Sequence, residues 1–161
     1  MCIAALATML VIAILSGCEK RDDGSYLHES LQTLHATFGL TWPTNNISAA
    51  RTASWNPRDA LDRDAKNTEF ILRFTLPSAD YIAWQLSATN VMKEYAWGAT
   101  RDPKLIDGHP WWNIHDVPDS RIIHLFAETN VATGGMTQLD VYAVETNKTH
   151  TVYIHSRTLN R

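Results

Sequence analysis

The chain has 161 residues, is 45% hydrophobic and 19% charged, and carries a formal net charge of −3. That is apolar material for one packed domain and too much for a disordered chain. The acidic balance excludes nucleic acid as the natural partner and excludes a polybasic membrane tether, since both need a cationic face.

Residues 1–18 read MCIAALATMLVIAILSGC and contain no charged side chain. From Cys2 to Leu15 the only polar side chain is Thr8. An apolar run of about 14 residues is too short for a comfortable membrane-spanning helix, which needs roughly 20. It fits the apolar region of a secretory signal. Leu15-Ser16-Gly17-Cys18 then resembles the lipobox of bacterial lipoproteins. The resemblance covers these first 18 residues only. It implies cleavage between Gly17 and Cys18, a diacylglyceryl group on Cys18, and acylation of the new amino terminus. Two or three acyl chains anchor a protein stably, at about 0.8 kcal/mol per buried methylene, where one holds it marginally. Glu19, rather than Asp, follows Cys18. By the same resemblance this favours the periplasmic face of the outer membrane over the inner membrane. Residues 1–17 are therefore expected to be the signal peptide, 18–25 a short lipidated tether, and 26–161 one domain. Cys2 leaves with the signal and Cys18 is spent on the lipid, so the folded body has neither disulfide nor thiol chemistry.

Ser25 is placed to cap a helix over Tyr26–Phe38, in which Leu27, Leu31, Leu34 and Phe38 form one apolar stripe. Gly39 is the stop signal. Residues 40–56 read as loop, with Trp42-Pro43 and Asn45-Asn46. Asn56-Pro57 opens a short polar helix to about residue 66. Glu69–Leu76 alternates, with Phe70, Leu72, Phe74 and Leu76 on one face. Ser78 is placed to cap a helix over Ala79–Ala88, with Ile82, Ala83 and Leu86 expected toward the sheet. Residues 90–118, broken by Pro103, Pro110 and Pro118, read as loops with short elements. Three strands close the chain: Arg121–Glu128, Thr137–Glu145 and Thr149–Thr158, joined by turns at Thr133-Gly134-Gly135 and Thr146-Asn147-Lys148. The expected fold is α+β: an antiparallel sheet of about four strands with two or three helices packed on one side.

The chemistry-bearing residues form no strong motif. None of the seven histidines belongs to an H-E-x-x-H or a His/Cys cluster. His109, His115 and Asp116 bracket a loop and make the best metal-binding or hydrolytic set, although the spacing is permissive. Asp59, Asp62 and Asp64 fail the calcium-loop pattern, because Lys66, Asn67 and Arg73 stand where ligands or glycine are needed. There is no G-x-S-x-G elbow and no phosphate-cradling glycine loop. Asp140 and Glu128 read as surface charge. His150 and His155, an odd number apart, fall on opposite faces of a strand. The six tryptophans are the most distinctive feature of the body. Trp84 reads as core. Trp111 and Trp112 are adjacent, so in extended chain one points outward beside His109. An exposed loop tryptophan anchors protein partners or glycans.

The function expected from this reading is a membrane-anchored envelope lipoprotein that binds and does not catalyse. It would be an assembly partner, inhibitor or immunity protein, facing an envelope protein or a toxin through Trp111, Trp112 and His109. It needs no cofactor, no metal and no nucleic acid. One alternative is an envelope hydrolase or metal-dependent enzyme using His109, His115 and Asp116. Another is a glycan or lipid carrier with a tryptophan-lined pocket.

Overall fold

The computed structural model describes residues 25–55, 69–94, 109–130 and 135–159. The signal, the tether as far as residue 24, the polar helix expected over 57–66, Trp97 and most of the Thr133–Gly135 turn lie outside the described residues.

Helix α1 spans Ser25–Phe38. Leu31, Leu34 and Phe38 are buried and Leu27 packs beside them, so the apolar stripe is a core stripe. Gly39 ends the helix in the left-handed region at φ +72°, its N–H donating to the His35 carbonyl at 2.8 Å. Glycine adopts that conformation without the Cβ clash that penalises other residues.

Strand β1 (Ser48–Trp55) lies where the sequence reads as loop. Its Ser, Ala and Arg residues carry little strand preference of their own. The strand exists because it pairs antiparallel with β2 (Glu69–Pro77) at the sheet edge. A register shift between Ser48 and Arg51, with Ala49 at φ +52°, marks a bulge there. Pro77 ends β2 and precedes helix α2 (Ser78–Ala88). Ser78 makes no side-chain cap; its hydroxyl instead meets His150 Nδ1 at 3.0 Å, and its N–H donates to the Lys148 carbonyl. A two-residue strand β3 (Lys93–Glu94) borders the other edge. The strands β4 (Ile122–Asn130), β5 (Met136–Thr146) and β6 (Thr149–Leu159) form the expected antiparallel meander. Asn147, at φ +58°, turns β5 into β6.

Among the described residues the sheet is antiparallel and has six strands in the order β1-β2-β6-β5-β4-β3, rather than about four. The two extra strands are the edges, where pairing supplies what local sequence does not. Both helices pack on one side, which confirms the α+β class. Leu72, Phe74, Leu76, Val141, Val152 and Ile154 line that side of the sheet. Trp42 stacks on Trp84 of α2 at 3.8 Å and meets Phe74 edge-on at 5.5 Å.

One expected orientation is reversed. α2 turns Tyr81, Trp84 and Ala88 inward and leaves Ile82 51% and Leu86 69% exposed. Residues 81, 84 and 88 recur at helical spacing, and each of the two aromatic rings buries a large area, about 150–250 Å².

Candidate binding face

The opposite side of the sheet is also closed. Ala53, Ile71, Tyr142, Val144 and Tyr153 form a second core under Trp112 and Ile114. Among the described residues no α-helix covers them. The cover is the segment 109–121, which carries two single-turn 3-10 helices, Ile114–Asp116 and Asp119–Arg121. Trp112 is fully buried and meets the Tyr153 ring edge-on at 5.4 Å. The Tyr153 hydroxyl donates to Asn113 Oδ1 at 2.8 Å. One aromatic plug and one part-buried hydrogen bond therefore fix the segment to the sheet.

Strand register lays this face out as a grid. Phe126, Asp140, His155 and Ile71 stand side by side across four strands. His124, Tyr142, Tyr153 and Arg73 make the neighbouring row on one side, and Glu128, Gln138, Arg157 and Glu69 the row on the other. Directly opposed and diagonal neighbours on one sheet face are within side-chain reach. A buried chain of acids and imidazoles results. His124 Nε2 donates to Asp140 Oδ1 at 2.9 Å; Asp140 Oδ2 stands 3.9 Å from His155 Nδ1; His155 Nε2 donates to Glu69 Oε1 at 2.5 Å. His124, Asp140 and His155 are at most 3% exposed, and only Glu69 reaches solvent appreciably. The His124 ring also stacks on Tyr142 at 4.6 Å.

A buried carboxylate loses its hydration and must be paired. Asp140 is paired by imidazoles from β4 and β6, so the network ties adjacent strands together. Toward the outer row the polar chain continues at the surface: Arg157 Nε donates to Gln138 Oε1 at 2.7 Å, and Gln138 Nε2 to Glu128 Oε2 at 3.1 Å. The surface-charge reading thus holds for Glu128, which is exposed, and fails for Asp140. Alternation in β5 puts Asp140 on the face away from Leu139 and Val141. The signal that this face is buried too was Tyr142 and Val144 sharing it with Asp140.

The residues singled out in the sequence separate. Trp112, expected as a possible contact, is core and offers no surface, because the cover segment is held down by that ring. Trp111 is half-buried, edge-on to Trp112 at 6.2 Å, with the half-buried His109 ring 5.3 Å away. His115 and Asp116 are exposed and sit 3.5 Å apart. Among the described residues no group of three or more His, Cys, Asp or Glu is placed to hold a metal ion, so His109, His115 and Asp116 do not converge on one. Trp84 is core.

His150 and His155 do occupy opposite faces. The His150 ring stacks on Tyr81 at 4.2 Å on the helix side. Burial lowers its pKa from the usual 6.5, and the charge of Glu145 opposes this. Burial, with Glu94 adding, raises the Tyr81 hydroxyl well above its usual range.

An open groove of about 350 Å³ runs between α1 and residues 40–44, lined by Leu31, Leu40 and Trp42 with His28, Gln32 and His35 at its rim. Among the described residues it takes one tryptophan, Trp42, whose ring is stacked on Trp84. That is not a deep pocket walled by tryptophans. Among the described residues no helix is long and apolar enough to cross a membrane.

Compared with known protein families, curated proteins and solved structures, the chain matches none.

Proposed function

We propose that the chain is a lipid-anchored envelope protein that captures a protein partner and does not catalyse. The partner is another envelope protein, or a toxin or hydrolase that it neutralises. The supporting observation is Trp111. It stands half-exposed beside His109 and the exposed Pro110, on a base made rigid by the buried Trp112 and by the Tyr153–Asn113 hydrogen bond. A pre-ordered aromatic side chain at a surface loses little freedom on binding, and this is what interface anchors exploit. His124, Asp140 and His155 at the centre of the polar network are sealed from solvent, so they shape the face rather than meeting a ligand. Lipid on Cys18, implied by the likeness of Leu15-Ser16-Gly17-Cys18 to a lipobox, holds the protein on the periplasmic side of the outer membrane.

Two measurements test this. Cys18→Ser moves the protein from the membrane to the soluble fraction; persistence in the membrane refutes the anchor. A photo-crosslinking residue at position 110 traps a discrete partner in intact cells, and Trp111→Ala lowers the yield at least roughly tenfold, as loss of an anchor does. The same probe at Thr33, on the outer face of α1, traps nothing. Equal products at both sites, or no change with Trp111→Ala, refutes the binding face.

A further inference from the structure

Helix α2 is apolar on two sides. Tyr81, Trp84 and Ala88 fill the core, while Ile82, Ala83 and Leu86 face solvent. Val91, in the turn after the helix, is 42% exposed. No charged side chain occurs between Asp80 and Lys93. The apolar positions of a helix are ordinarily turned to the core. On α2 Ile82, Ala83 and Leu86 are bare on the outer side, and a bare apolar patch rimmed by polar residues marks a contact surface.

We propose that this face rests on the lipid bilayer to which Cys18 is attached. The inference rests on the lipid-anchor reading above. The length of chain outside the described residues argues for the bilayer as occupant. Six residues, 19–24, separate Cys18 from Ser25 at the start of α1. Fully extended, the chain from Cys18 to Ser25 reaches about 24 Å, less than the diameter of a small domain. The domain is therefore held against the surface. α1, where the tether ends, packs on the same side of the sheet as α2, and Trp111 lies on the opposite side. With α2 down, the helix layer meets lipid and the loop face meets the periplasm.

The charge pattern sets the character of the contact. Membrane-surface helices that bind from solution carry a basic face, and α2 has none. Its few partly exposed apolar side chains hold weakly when free. Tethering raises their effective concentration at the surface and makes the contact persistent without basic residues. Entry into the interface is eased because no ionised group in 81–92 must be desolvated.

The mature chain, residues 18–161, has Cys18 as its only cysteine. It can therefore be coupled to a maleimide lipid in a phosphatidylcholine nanodisc, whether or not cells acylate Cys18. With a paramagnetic gadolinium headgroup lipid in the disc, methyl signals of Ile82, Leu86 and Val91 should relax at least fivefold faster than those of Ile114 and Val144 under the loop. Ile82→Asp with Leu86→Asp should abolish the difference for Val91 and leave the thermal midpoint in solution within about 2 °C. Equal relaxation on both faces, faster relaxation on the loop face, or insensitivity to the aspartates overturns the proposal. So does a sedimentation result in which Leu86 is already covered in solution by a second copy. Failure here leaves the Cys18→Ser fractionation result standing, whereas failure there removes the anchor on which this proposal rests, so the two failures are told apart.

Discussion

Asp140→Ala isolates the buried network. The carboxylate is 1% exposed, accepts from His124 at 2.9 Å and stands 3.9 Å from His155 Nδ1. Truncation leaves two imidazole edges facing a hole in a closed face from which water is excluded. Breaking a buried pair by removing one partner costs about 3–5 kcal/mol. Against a total stability of about 5–15 kcal/mol, that is a large share. For a domain of this size it corresponds to a drop of roughly 10–20 °C in thermal midpoint. Asp140→Asn keeps an acceptor of the same volume for His124 and should recover part of the loss. Urea unfolding followed by tryptophan fluorescence measures both. A cycle with His124→Ala should give a coupling of about 1–3 kcal/mol, since the two side chains touch. A loss under about 1 kcal/mol for Asp140→Ala, or full additivity in the cycle, would refute the network.

Other tests address the remaining parts. His150 is held neutral by burial, so the unfolded chain takes up a proton first as pH falls. Stability should be intact well above pH 6.5 and decline as pH drops from 6.5 through the lower folded value. His150→Gln should flatten that decline in the urea midpoint measured from pH 7.5 to 5. Trp112→Ala should cost about 3–5 kcal/mol and loosen the cover segment, seen as faster amide exchange over 109–121, because among the described residues it removes the only fully buried tryptophan. Trp111→Ala, half-exposed, should stay within about 1 kcal/mol in the same unfolding assay. The reverse order would show that the two rings had exchanged roles.

Local pattern carried the elements whose sequence is strongly periodic. The α1 stripe, the alternating face of β2 and the closing meander all follow from which residues recur at helical or strand spacing. β1 escaped because Ser48–Trp55 has no such period and is a strand only by its pairing with β2. The histidine parity in β6 was legible, since a strand alternates whatever surrounds it. The network was not, because His124, Asp140, His155 and Glu69 are spread over 86 residues and meet only through register.

By itself the sequence determined the α+β class, the opposite faces of His150 and His155, and the stripe of α1. These are properties of covalent periodicity. Only the tertiary structure decided that both faces of the sheet are covered, that Trp112 is sealed while Trp111 is not, and that α2 keeps Ile82 and Leu86 outside. Periodicity says which side chains share a face. Whether that face is dry depends on what packs over it, and the cover segment 109–121 is brought there by long-range contacts.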